Sequence, residues 1–119
     1  MRIGFFPNMG KSTIMAVLKM AAHICREEQI EVYLPDDLER PDTYKVLQIP
    51  KENVLSRPEI FKHIDVAFSF GGDGTIIHLA RQIFSYNIPV CGINLGELGF
   101  LNQIEVHQLQ SHIKRIAQG

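Results

Sequence analysis

Apolar positions along the chain follow two periods, one typical of strands and one typical of helices. Short apolar runs predict β-strands at residues 3–6, 30–34, 65–70 and 88–93, with a short fifth strand at 52–56. Apolar residues spaced three and four apart predict helices at 11–28, 76–86 and 106–118, with one or two helical turns at 58–63. Residues 35–50 are polar and contain three prolines, so no regular element is assigned there.

The alternation of strands and helices predicts an α/β fold. We expect a Rossmann-like or flavodoxin-like parallel sheet, flanked by helices and joined by right-handed crossovers. The strands at 65–70 and 88–93 are almost wholly apolar, which is typical of strands covered on both faces. Ligands of such sheets bind beyond the carboxyl ends of the strands. The glycine-rich loops that follow these two strands are therefore the first place to look for a site.

Composition and charge narrow the function classes. The chain has 119 residues, 45% of them hydrophobic and 21% charged, which fits one globular domain over residues 1–119. A net charge of −1 provides no basic field, so we expect neither a nucleic acid nor a membrane as partner. Cys25 and Cys91 lie in apolar segments without CxxC spacing and are predicted to be free thiols of a cytoplasmic protein. The histidines form no metal-ligand set, so no protein-held metal site is expected.

A first candidate motif lies near the N-terminus. The segment from Gly4 to Ser12, with Gly10 and Lys11, looks like a P-loop but has five residues between its glycines where the motif has four. Gly4 would also lie within the first strand, and Pro7 removes one N–H from the loop. We therefore do not expect a P-loop here, although the helix that follows could face an anion with its N-terminus.

The second motif, Gly-Gly-Asp-Gly-Thr at 71–75, joins a buried strand to a helix. Gly71 and Gly72 permit a tight turn and a close backbone approach, and the N–H groups of the helix start favour a phosphate or pyrophosphate. Asp73 beside such a group could accept a hydroxyl proton or help to hold a divalent cation. Alternatively, Asp73 or Thr75 only caps the helix.

The third motif occupies residues 92–101 and is predicted to lie beside the second. Gly96 and Gly99 permit a positive φ, and Phe100 offers an aromatic face to the crevice. Alternatively, Phe100 and Leu101 fill the core.

Together these residues resemble the N-terminal domain of the NAD kinases. The resemblance rests on Gly-Gly-Asp-Gly-Thr at 71–75, on Ala80-Arg81, and on the run from Pro89 to Leu101 with its Asn-x-Gly-x-Leu-Gly-Phe-Leu element. Lipid kinases and phosphofructokinases carry loops similar to the second motif, Gly-Gly-Asp-Gly-Thr at 71–75. The third motif is the more specific one and favours NAD.

The resemblance implies transfer of phosphate from ATP to the 2′-hydroxyl of the adenosine ribose of NAD, giving NADP, with a divalent cation such as Mg²⁺. It makes Asp73 the proton acceptor, and it lets the dinucleotide approach the backbone at Gly74. Phe100 would pack near the adenine or ribose. His78 would contact a nucleotide, although a lone helical histidine is often only a surface or capping residue. The other positions assigned to nucleotide binding are Gly71, Gly72, Thr75 and Asn94.

The chain departs from the family pattern in one respect. Family members are longer and carry a second, β-rich domain with an Asn-Glu pair that grips the ribose, and no Asn-Glu dipeptide occurs here. We therefore expect the N-terminal part of a two-domain kinase. Alone, it should bind nucleotides weakly, turn over little and expose apolar surface that favours homo-oligomers. Two alternatives stay open: a kinase with the same loop that acts on a lipid or sugar, and a non-catalytic α/β binding or assembly module.

Overall fold

The computed structural model describes residues 1–96, 99, 101 and 103–119, and its centre is a six-stranded parallel sheet. The strands are β1 (Arg2–Pro7), β2 (Glu31–Pro35), β3 (Val54–Leu55), β4 (Val66–Gly71), β5 (Val90–Asn94) and β6 (Ile104–Glu105). Their order across the sheet is β3-β2-β1-β4-β5-β6, and each neighbouring pair is parallel. This confirms the predicted α/β class, and the order is that of the Rossmann fold rather than the flavodoxin fold.

Five helices cover the two faces of the sheet: α1 (Ile14–Glu27), α2 (Thr43–Val46), α3 (Arg57–His63), α4 (Asp73–Ile83) and α5 (Leu109–Ala117). The larger core packs α1 and α5 onto one face, where Phe5 and Phe68 stack with ring centroids 6.0 Å apart. The smaller core packs α3 and α4 onto the other face, around Phe6, Phe61 and Leu79. The predicted central strands are thus covered on both sides.

Several elements differ from the sequence-based expectation, and α1 and α5 begin three residues later than predicted, at Ile14 and Leu109. Strand β6 was not predicted, because two residues are too few to show a period and only pairing with β5 defines them. Helix α2 lies in the segment left without regular structure. Helix α4 begins at Asp73, three residues before the predicted start at 76, so part of the glycine motif is its first turn.

The chain topology places a crevice between β1 and β4. From β1 the chain runs outward to β2 and β3, then returns to β4 on the other side of β1. Pro7 and Phe70 lie opposite each other where these strands end, and the Asn8 N–H donates to the Phe70 carbonyl at 2.9 Å. The loops after β1 and β4 therefore start side by side. Such a reversal point is where open α/β sheets bind their ligands.

No helix within the described residues is long and apolar enough to cross a bilayer.

Candidate functional site

A cleft of about 500 Å³ lies at this reversal point, between the loop after β1 and the start of α4. Its lining combines residues of the first and second motifs with Arg57 of α3 and two further residues of α4: Phe6, Pro7, Asn8, Lys11, Arg57, Gly72, Asp73, Gly74, Thr75, His78 and Leu79. Four residues of the second motif therefore face one cavity, together with two cationic side chains. A cleft of this size can hold a nucleotide-sized ligand.

Asp73 lies at the edge of the cleft, where the two glycine-rich segments meet. Its Oδ1 accepts the Leu101 N–H at 3.1 Å and the Gln103 side-chain amide at 3.2 Å. A Cβ on Gly99 would come within 2.6 Å of the same oxygen, so a larger residue here would displace the carboxylate. The expectation that the second and third motifs lie side by side is confirmed.

The alternative in which Asp73 or Thr75 only caps α4 is wrong. Gly72 is the N-cap residue, with no side-chain capping bond, and Asp73 is the first helical residue. Its carboxylate instead accepts hydrogen bonds from Leu101, at the end of the third motif, and from Gln103, just after it. The alternative in which Leu101 fills the core also fails, because 42% of that side chain is exposed.

The three glycines of the second motif serve different purposes. Gly71 is buried, and a Cβ there would collide with the Thr75 hydroxyl and lie 3.3 Å from the Cβ of Asn8. It therefore allows the loops after β1 and β4 to pack together. At Gly72 and Gly74 a Cβ would meet nothing within 4 Å, so their backbone is open toward the cleft.

The two cationic side chains of the cleft, Lys11 and Arg57, come from outside the second and third motifs. Arg57 forms a two-pronged contact with Asp37, with Nε at 3.0 Å and Nη2 at 3.3 Å from the carboxylate oxygens. Its guanidinium lies 5.6 Å from the centre of the Phe6 ring, and only 24% of the side chain is exposed. Lys11 comes from the near-miss P-loop; Gly4 of that segment lies within β1, as expected. Cationic side chains beside a helix N-terminus favour the binding of phosphate groups.

One protein family matches nearly the whole chain. The ATP-NAD kinase N-terminal domain family matches residues 3–119. The chain belongs to this family. The match confirms the resemblance drawn from the glycine motifs, and nothing found favours the lipid or sugar kinase alternative.

Relatives with this domain are longer than the chain. The NAD kinase of Marinomonas sp. (strain MWYL1) is 34% identical over 120 residues, which cover 99% of this chain and 39% of that protein. The NAD kinase of Methanopyrus kandleri is 29% identical over 113 residues, covering 92% and 38%. The chain thus spans about two fifths of the length of the curated relatives it matches.

A solved structure shares the fold. The crystal structure of yeast NADH kinase complexed with NADH matches with a TM-score of 0.75 at 16% identity, over 98% of this chain and 38% of that one. At this identity the likeness concerns the fold alone.

The remaining predicted site residues of this family domain have different placements. His78 is exposed and lines the cleft, with its Nε2 3.2 Å from the side-chain nitrogen of Gln82. Asn94 pairs with Gly71 across the sheet but does not line the cleft; its Oδ1 accepts the Gly96 N–H at 3.0 Å and closes the turn. Gly96 has a φ of +102°, a conformation that the sequence analysis allowed for because the residue is glycine. Phe100 lies outside the described residues.

Sequence reasoning missed two residues that the fold brings to the site. Arg57 follows β3, and no local motif marks it. Gln103 follows the third motif by two residues, and its closeness to that motif is the only signal in the sequence. Both contacts depend on strand order, which local patterns do not contain.

Proposed function

We propose that this chain forms the nucleotide-binding part of an enzyme that phosphorylates NAD with ATP, at the 2′-hydroxyl of the adenosine ribose, to give NADP. The observation that carries the proposal is the position of Asp73. Its carboxylate is held between two glycine-rich segments, at the edge of a cleft that also contains Lys11 and Arg57. Family membership supplies the choice of NAD over other acceptors.

Asp73 is the proposed proton acceptor. Hydrogen bonds to Oδ1 fix the orientation of the carboxylate, which a general base needs in order to reach a substrate hydroxyl. The open backbone at Gly72 and Gly74 allows a dinucleotide to approach closely. The first turn of α4, which includes Thr75, would offset the charge of the phosphates together with Lys11 and Arg57.

Nucleotide contacts are also proposed for other predicted residues. His78 lines the cleft and is available for such a contact. Gly71 acts through the packing that it allows. The roles of Asn94 and Phe100 stay predictions.

The proposal includes a divalent cation such as Mg²⁺. Within the described residues there is no group of three or more histidine, cysteine, aspartate or glutamate side chains able to hold a metal. Asp73 is the one carboxylate among the described residues that line the cleft. Mg²⁺ keeps several waters and is bound by the phosphates of its nucleotide, so ATP would supply its main ligands and Asp73 would keep the role of proton acceptor. When bound, the ion would neutralise phosphate charge.

The wider context of the enzyme is proposed from the relatives and the cysteines. The greater length of the relatives supports a second, β-rich domain, and homo-oligomers are part of the same proposal. The free thiols Cys25 and Cys91 support a reducing compartment, the cytoplasm.

The decisive test is substitution of Asp73 in the protein expressed from its complete gene. We expect Asp73→Asn to lower kcat for NAD phosphorylation by about 10²–10⁴-fold, because the amide cannot accept a proton. The KM values for ATP and NAD should change little. Asp36→Asn, at an exposed position outside the cleft, is the matched control.

Two results would contradict this proposal. Near-normal turnover by Asp73→Asn would show that another group accepts the proton. Phosphorylation of diacylglycerol or fructose 6-phosphate in place of NAD would assign a different substrate. Separately, the amide signals of residues 71–75 should respond when NAD or ATP is titrated into the 119-residue chain, and no response at millimolar ligand would favour a non-catalytic module.

A further inference from the structure

We infer that Gln103 is a positioning residue that orients the Asp73 carboxylate and favours its ionised form. This inference rests on the proposed function. The Gln103 side-chain amide donates to Asp73 Oδ1 at 3.2 Å, and the Leu101 N–H donates to the same oxygen at 3.1 Å. One short segment thus supplies a backbone donor and a side-chain donor to one oxygen. Two donors on one oxygen restrict the rotation of the carboxylate more than either does alone.

Gln103 is itself held in place by the sheet. A Cβ on Gly92 would lie 3.0 Å from its Cγ, so the stem of the side chain packs against the bare backbone of β5. The next residue, Ile104, begins β6 and pairs with Ile93. The Gln103 side chain is therefore held in place by β5 and β6, the strands before and after the loop of the third motif.

The orientation of the Gln103 amide follows from its partner. Its nitrogen faces the carboxylate, because the opposite orientation would set two acceptor oxygens against each other. The Oε1 atom is then buried without a hydrogen-bond partner among the described residues. An unsatisfied buried acceptor destabilises the folded state. Retaining a glutamine at such a cost is explained if its N–H is needed at Asp73.

A carboxamide suits this task because it donates at every pH at which the protein is folded. A glutamate at this position would have nearly the same shape but would be an acceptor at neutral pH. Two carboxylates in contact disfavour each other's ionisation. A methionine would keep much of the volume without donor or charge. Gln103 does not line the cleft, and its described contact with a cleft residue is the bond to Asp73. The charged or titratable groups that line the cleft with Asp73, namely Lys11, Arg57 and His78, are the same in every variant.

The test compares Gln103→Glu and Gln103→Met in the protein expressed from its complete gene. We expect the acid limb of the kcat–pH profile to move to higher pH in the order glutamine, methionine, glutamate. At neutral pH, Gln103→Glu should lower kcat at least about tenfold, with the KM for ATP little changed. Gln110→Glu, which adds the same charge at an exposed position of α5, should leave the profile unchanged. If Gln103→Glu and Gln110→Glu have the same kcat–pH profile, the inference is wrong.

A second measurement separates this inference from the proposed function. In the 119-residue chain, the carboxyl carbon of Asp73 is followed by NMR through a pH titration, which needs no enzyme activity. Its midpoint should lie at higher pH in Gln103→Glu than in the unchanged chain, with Gln103→Met between them. Equal midpoints in all three overturn the inference. If the midpoints follow this order but the complete protein does not phosphorylate NAD, only the proposed function fails.

Discussion

Gly71 and Gly74 belong to one five-residue motif but have opposite surroundings. Gly71 ends β4, and a side chain there would collide with Thr75. Gly74 lies in the first turn of α4, and a side chain there would meet nothing within 4 Å. Gly71 is therefore required by packing, whereas Gly74 is available to contact a ligand.

We expect alanine at these two positions to separate stability from binding. Gly71→Ala should lower the free energy of unfolding by about 1–3 kcal/mol, because the added methyl forces the Thr75 side chain, in the first turn of α4, to move. Gly74→Ala should raise it by up to about 1 kcal/mol, because alanine favours the helix more than glycine does. Urea denaturation of both variants measures the difference. An equal loss of stability in the two variants would contradict the close packing of Gly71 against Thr75. Weaker nucleotide binding by Gly74→Ala would support contact between Gly74 and the ligand.

The motif residues of the site were predictable from sequence, and their partners were not. Gly72, Asp73, Thr75 and His78 are consecutive or one turn apart, so a strand–turn–helix pattern is enough to bring them to one edge. Gln103 reaches Asp73 across 30 positions of sequence. That contact depends on the pairing of β5 with β6, which no local period encodes.

At the scale of elements, α4 has a buried face and an exposed apolar face. Leu79 and Ile83 are buried in the smaller core. Ile77 is 43% exposed, and Phe84, in the 3₁₀ turn Phe84–Tyr86 that follows the helix, is 84% exposed. The apolar pattern of the sequence predicted the helix but did not distinguish the two faces.

The adjacent residues Ile83 and Phe84 give a direct test of this arrangement. Ile83→Ala should lower the free energy of unfolding by about 2–5 kcal/mol, because it leaves a cavity under the helix. Phe84→Ala should change it by no more than about 0.5 kcal/mol, although phenylalanine is the larger side chain. Thermal and urea denaturation of the pair measure both effects. A larger loss at Phe84 than at Ile83 would show that the helix packs by another face.

The start of α4 shows where tertiary structure overrides local propensity. Glycine and aspartate are poor helix formers, so the sequence placed the first turn after them. In the structure the helix begins at Asp73. A carboxylate in the first turn interacts favourably with the helix dipole, and the bonds from Leu101 and Gln103 hold it there. The residues that weaken the local prediction are those of the proposed site.

At the scale of the whole molecule, the sheet separates two cores of unequal size. The larger one lies under α1 and α5 and contains the sheet aromatics Phe5, Phe68 and Phe70. Cys25, near the end of α1, is fully buried in this core, and burial raises the pKa of its thiol to about 12. The thiol of Cys91, on β5, is also shifted by burial, to a pKa of about 11. Both thiols therefore stay protonated in the folded protein at neutral pH.

This burial predicts a loss of stability in alkali. In the unfolded chain the Cys25 thiol loses its proton near its ordinary pKa of 9.0, whereas in the folded chain it keeps the proton up to a pKa of about 12. Between these values the folded state binds more protons, so the free energy of unfolding falls as pH rises. The contribution of Cys25 to this fall approaches about 1.4 kcal/mol per pH unit. Its stabilising contribution is fully present below the unfolded value.

We expect Cys25→Ala to be less stable than the unchanged chain at neutral pH but to lose less stability in alkali. Urea denaturation at a series of pH values between neutrality and about pH 10 gives the slope for each variant. Val17→Ala, which removes buried volume from the same helix without removing a titrating group, is the matched control and should keep the original slope. If Cys25→Ala and Val17→Ala have the same slope, the Cys25 thiol does not link proton binding to folding, and its burial in the larger core would have to be incomplete.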